Sequence, residues 1–182
     1  MTYYGIDTIL KRDETYIEFQ SGEKRIFDYF VMDAIDDKFL NYVKIVGIAQ
    51  QNMKEKELDK CDYLDPLSGP PIFSERFVET FSALLTQDVE FRPAEIWCKS
   101  KSKQFFLAKI KRCIDWIDYE NSGCMILSDG VKILNTPVVS KAVSEEFFLA
   151  KDSITKTRWV ASEEFKKLVV KNKMNMKFYS FK

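Results

Sequence analysis

The sequence predicts an α+β fold, mainly antiparallel sheet with a few packed helices, on three observations. Short runs alternate apolar and polar residues with the period of two of a half-buried strand, as in "TYIEFQ" at 15–20. Two later segments, "SERFVETFSALL" and "SEEFKKLVV", repeat apolar residues every three to four positions behind a serine. The 182 residues are 46% hydrophobic, with 15 Phe, 8 Tyr and 3 Trp, enough for a core that needs neither disulfide nor metal.

In chain order, "TYIEFQ" places Tyr16 and Glu18 on one face and Ile17 and Phe19 on the other, and Gly22 follows at a turn. A second strand is predicted in "NYVKIVGIA" at 41–49, where Gly47 marks a bulge or a close backbone approach. The polar "QQNMKEKELDK" reads as a surface loop or a short solvated helix. Gly69-Pro70-Pro71 is a stiff connector, because proline lacks a backbone donor and restricts the residue before it.

Ser74 then offers the short oxygen acceptor of an N-cap, with Glu75 in the positive first turn and Phe73 and Val78 at the staple positions. Phe77, Phe81, Leu84 and Leu85 make one apolar face, so a helix is predicted over 74–86. As a nucleophile Ser74 lacks both a GxSxG elbow and a histidine.

Strands resume in "VEFRPAEIWCKS" and "KQFFLAKIKRCIDWI", two arms joined by the polar "KSKSK". If the strand continues through Trp116 and Ile117, Asp115 and Asp118 fall on opposite faces, and a turn follows at Asn121-Ser122-Gly123. Asp129-Gly130 in "CMILSDGVKILNTPVV" is a hairpin signal. Ser162 opens a second helix, 162–172, with Phe165, Leu168 and Val169 on its apolar face, and "MKFYSF" returns as a last strand. The five letters "FFLAK" occur at 105–109 and again at 147–151, which suggests two strands of similar burial.

The formal charge is zero, yet residues 1–90 carry 18 acidic against 10 basic groups and residues 91–182 carry 10 against 18. Such asymmetry fits either an oppositely charged partner or two halves that neutralise each other. The chain is read as one domain over 1–182, or as an acidic lobe at 1–65 beside a basic lobe at 66–182.

No histidine is present, which removes Ser-His-Asp and Cys-His nucleophiles, HExxH zinc sites and imidazole acid–base chemistry. Carboxylate, lysine, tyrosine and metal–carboxylate chemistry stay open. Asp33, Asp36, Asp37 and Lys38 in "MDAIDDK" are the candidate set for a metal-dependent phosphodiesterase or nuclease, although their spacing also suits a solvated acidic turn.

Lys99, Lys101, Lys103, Lys109, Lys111 and Arg112, with Trp97, Phe105 and Phe106 among them, have the composition of a nucleic-acid groove or of a hairpin with a basic tip. The glycine spacing matches no phosphate loop, and no cofactor is expected. Cys61, Cys98, Cys113 and Cys124 form no CxxC pair and are expected as buried free thiols. The start "MTYYGIDTILKRDE" lacks the order of a signal peptide and no run suits a membrane span, so a cytoplasmic protein is expected.

Three segments together, "GPPIFSERFVETF", "FFLAKIKRCIDWIDYENSG" and "EEFFLAKDSITKTRWVASEEFKKLVV", resemble a bacterial family of polymorphic-toxin immunity proteins, the eleventh of the immunity series and formerly a domain of unknown function. The likeness spans about residues 65–175. It rests on Pro71, Ile72, Phe73 and Ser74, then Asp115, Asp118 and Ser122, then Phe147, Phe148 and Ser162. Leu149 stands where the family often carries arginine, and the amino-terminal third is not matched. The resemblance implies a non-catalytic antitoxin that binds a cognate protein toxin, with these residues acting as caps, turns and core. An acidic surface at Asp33, Asp36 and Asp37 would suit a basic, nucleic-acid-degrading toxin.

Overall fold

The computed structural model describes residues 2–10, 16–50, 52–66, 69–126, 128, 132–140 and 146–181. The first part of the chain gives β1 (Tyr3–Asp7), β2 (Tyr16–Phe19), α1 (Glu23–Phe30), a 3-10 turn (Lys38–Asn41), β3 (Val46–Ala49), α2 (Glu55–Leu58) and β4 (Tyr63–Pro66). The middle gives β5 (Ile72–Ser74), α3 (Glu75–Phe81), β6 (Val89–Cys98), β7 (Lys101–Ile110), β8 (Cys113–Ile114), β9 (Gly123–Ile126) and β10 (Lys132–Thr136). The chain closes with β11 (Leu149–Asp152), β12 (Trp159–Ser162), α4 (Glu163–Lys171) and β13 (Lys177–Ser180).

Six strands close a barrel in the order β2-β3-β6-β7-β5-β4, and five form an open sheet ordered β13-β1-β12-β11-β8, with β9 and β10 paired apart. The α+β class predicted from the sequence is the one observed. Most pairs are antiparallel, but β2 with β4, β3 with β6 and β8 with β11 run parallel. Strands from both sides of residue 65 share the barrel: β2 and β3 precede it, β4 contains it, and β5, β6 and β7 follow.

Barrel closure depends on alternation. Ile17, Leu64, Ile72, Ile96, Phe105 and Leu107 are buried and pack together, while Glu18, Ile48 and Trp97 stay outside. Gly47 shows why one strand has no side chain there. A Cβ would lie 2.6 Å from Ile17 Cγ2 and 2.8 Å from Ile96 Cδ1, so glycine permits the close approach that its position in the sequence suggested.

Helices α3 and α4 cover the junction of barrel and sheet with aromatic rings. Phe73 stacks on Phe77 with centroids 4.1 Å apart, and Phe165 meets Phe77 and Phe81 edge-on. Each helix begins as the sequence predicted: Ser74 Oγ accepts from Phe77 N, and Ser162 Oγ accepts from Phe165 N, both at 3.1 Å.

Several expectations are corrected in detail. The first of these helices ends at Phe81, short of residue 86, and continues in turns to Asp88. The Thr86 hydroxyl donates to the carbonyls of Ser82 and Ala83, a side-chain bond that competes with the helical ladder. Segment 41–49 is strand only from Val46, because residues 38–41 wind into the 3-10 turn instead. "QQNMKEKELDK" contains the short helix α2.

The strand through "KQFFLAKIKRCIDWI" breaks at Ile110, where Lys111 N donates to Asp88 O, and the chain re-enters the other sheet as β8. Trp116 and Ile117 are therefore both buried and do not alternate. The hairpin turn between β6 and β7 is Lys99-Ser100, with Lys99 at φ 56°, so Lys101–Lys103 already belong to the strand. Asp129-Gly130 lies outside the described residues, although the flanking β9 and β10 pair antiparallel. Only Cys61 and Cys98 are buried; Cys113 and Cys124 are exposed, on a two-residue edge strand and on the separate hairpin.

Candidate functional site

A junction of three lysines and one acid forms around Asp33, just after α1. Asp33 takes φ 54°, a left-handed conformation that aspartate tolerates better than most residues. Its carboxylate sits 2.6 Å from Lys151 Nζ and 3.5 Å from both Lys109 Nζ and Lys156 Nζ. Lys109 lies on β7 of the barrel and Lys151 on β11 of the sheet, so one acid clamps the two layers.

Lys151 is only 1% exposed, and its ammonium is also held by Val31 O at 3.1 Å. Lys109 lies 3.7 Å over the Tyr29 ring, and Lys156 donates to Met32 O at 2.8 Å. Burial pulls the Asp33 carboxyl upward, but the hydrogen bond and charge of Lys151, with the charges of Lys109 and Lys156, outweigh it and hold it below the ordinary range.

The neighbouring turn from β11 to β12, residues 153–158, is fixed from below by Asp152. That carboxylate is fully buried and accepts from Ile117 N, Ile154 N, Thr155 N and the Tyr119 hydroxyl. Burial and the hydrogen bond to Asp152 raise the Tyr119 pKa, keeping it protonated as a donor. Arg158 N donates to Thr155 O at 2.8 Å and closes the turn.

Concavities flank this turn. One of about 360 Å³ is lined by Tyr63, Asp65, Gly69, Pro71, Arg158 and Trp159, and another of about 510 Å³ by Tyr119, Cys124, Ile133, Leu134, Thr155 and Arg158. A groove of about 520 Å³ lies elsewhere, on the barrel, between residues 40–45 and strands β6 and β7. Three of its charged side chains are engaged in ion pairs, Lys44 with Glu95 and Arg92 with Glu90 and Asp37, and Lys103 donates to Asp59 O.

The residues singled out in the sequence are dispersed over the fold. Asp33 is committed to the lysine junction, Asp36 pairs with Lys38 beside it, and Asp37 faces Arg92. Among the described residues no group of three His, Cys, Asp or Glu is placed to hold a metal ion. The basic stretch is also divided: Lys101 pairs with Asp59, Lys109 with Asp33 and Arg112 with Asp88. These bonds cross from the acidic to the basic half of the chain, so part of the charge asymmetry is satisfied inside the molecule.

Of the ten positions that carried the family likeness, all but Asp115 lie in caps, turns and core. Pro71 is buried, and its carbonyl accepts from Ala108 N; Phe73 is in the aromatic stack. Ser74 Oγ, besides capping α3, donates to the buried Asp62 carboxylate at 2.6 Å. Asp115 is exposed, whereas Asp118 accepts from Asn121 N and Nδ2. Ser122 Oγ donates to Asp118 O and accepts from Val138 N, locking that turn.

Phe147 packs on Tyr3, and Phe148 packs on Phe165 just ahead of β11, not within a strand. Asp88 was not singled out in the sequence, yet it is buried and accepts from the amides of Phe148 and Leu149. No local pattern around Asp88 signals that role, because its partners lie some 60 residues away.

The model of the immunity protein family Imm11 matches residues 33–181, most of the chain, and the chain belongs to that family. The match begins well before residue 65 and takes in Asp33. No curated protein matches the chain. Among the described residues no helix is long and apolar enough to cross a membrane.

Proposed function

We propose, with that membership as the premise, that this is a non-catalytic immunity protein that binds a cognate bacterial effector toxin and neutralises it by occupying its surface. The family match over residues 33–181 is the observation that carries the reading. Its recurring serines and aspartates support it, since each that is buried or half-buried caps a helix or closes a turn. The metal–carboxylate alternative lacks its constellation, because the three aspartates are turned to different cations.

The same reading sets the encounter in the cytoplasm, supported by four free thiols, two of them exposed, which suit a reducing compartment. The test is co-expression with each toxin encoded beside the gene, scored by survival and by co-purification. One neighbour is expected to be bound and silenced. Failure of every neighbour on both measures overturns the reading.

A further inference from the structure

We propose that the toxin is met by the Ser153–Arg158 turn and the apolar side chains around it, Met32, Ile35, Ile133 and Ile154, with Arg158 receiving a toxin carboxylate. This rests on the immunity reading and specifies the surface and the partner chemistry.

Exposure is the first argument. Ile154 is 73% exposed at the tip of the turn, an unusual position for isoleucine on a segment whose backbone is already fixed by Asp152. A rigid apolar tip loses little conformational entropy on binding, which is the property of an interface anchor. Met32 and Ile35 are also exposed, on the loop that Lys156 fastens to the turn through Met32 O. On the other side Ile133, 41% exposed, shares the 510 Å³ concavity with Thr155 and Arg158. Apolar groups on separate stretches of sequence thus stand on segments that touch one preformed turn.

Charge is the second argument and decides the occupant. Three described arginines are half-buried. Arg92 pairs with Glu90 and Asp37, and Arg112 pairs with Asp88. Arg158 has no ion pair among the described residues; its guanidinium donates to Leu134 O at 3.1 Å and lines both concavities. A half-desolvated guanidinium with donors to spare is completed by a carboxylate that brings bidentate geometry. Lys156 at the same turn shares the single carboxylate of Asp33 with Lys109 and Lys151, so positive charge is in excess there. The partner chemistry is therefore a protein surface with a carboxylate set among apolar side chains. In the barrel groove Lys44 is paired with Glu95 and Arg92 with Glu90 and Asp37, so its half-buried arginine already has its acids.

The experiment uses the full chain and the toxin recovered by co-purification. Affinity is measured by calorimetry for wild type, Ile154→Asp, Arg158→Glu and the groove control Lys44→Glu, with thermal melting of each free protein. Ile154→Asp and Arg158→Glu are each expected to weaken binding at least about ten-fold. Lys44→Glu is expected to stay within about two-fold, as rim charges do. Ile154 is exposed enough that its variant keeps the wild-type melting temperature, so its result stands even if Arg158→Glu folds poorly. Undiminished affinity of Ile154→Asp overturns the inference and leaves the immunity reading intact. Wild type binding no neighbouring toxin overturns that reading and this inference with it.

Discussion

Residues 105–109 and 147–151 spell the same five letters and end at the same acid, yet they do different work. In both copies the leucine and alanine are 0% exposed, and both lysines reach Asp33. The barrel copy leaves its lysine side chain 16% exposed, 3.5 Å from the carboxylate and against the Tyr29 ring. The sheet copy buries its lysine to 2% and brings it to 2.6 Å. A partly hydrated ammonium with an aromatic neighbour can lose its acid cheaply; a buried one cannot. Local sequence sets the type of group, and depth sets how strongly it depends on its partner.

The largest effect should come from removing the shared acid. Asp33→Ala leaves Lys151 buried without a carboxylate and is expected to cost about 3–5 kcal/mol in urea unfolding. The double variant Asp33→Ala with Lys151→Met should recover a large part of that loss, and simple additivity of the two would break the comparison. Asp33→Asn sharpens it through pH. The Asp33 pKa lies below its ordinary value in the fold, so its contribution is present above the unfolded-state pKa of about 4 and is lost as pH falls through the folded value. The melting-temperature gap between wild type and Asp33→Asn should accordingly be constant near neutrality and close in acid.

Next in size is the cap that also holds a buried acid. Ser74→Ala removes both the bond to Phe77 N and the donor to Asp62, and about 2 kcal/mol is expected. Ser162→Ala removes only the cap, and Lys109→Ala only the outer lysine; each should cost about 1 kcal/mol by the same denaturation measurement. Equal effects for Lys109→Ala and Asp33→Ala would show that depth is not the deciding variable. At the small end, Asp36→Asn is expected to leave the unfolding midpoint unchanged, since its pair with Lys38 is exposed on both sides.

Much of this architecture was legible because it rests on short-range physics. Ser74 and Ser162 act within three residues of themselves, the alternation at Ile17 and Phe19 reports a half-buried strand, and the turn at Asp118 and Ser122 closes within four residues. The acidic trio illustrates the reverse. Three aspartates within five residues suggested a shared site, and the fold sends Asp33 to Lys151, Asp37 to Arg92 and Asp36 to its own neighbour. Arg158 carried no signal at all, because what distinguishes it is that no acid among the described residues forms an ion pair with it.

By itself, then, the sequence determined the α+β class, the two serine-led helices and the family likeness, all of which depend on periodicity, capping and residue order along the chain. Only the tertiary structure decided that the barrel closes, that the two "FFLAK" lysines meet one aspartate, and that a rigid turn presents Ile154 beside Arg158. Those outcomes depend on contacts between residues from tens of positions to more than a hundred apart. Their energies come from burial and desolvation, which chain order does not encode locally.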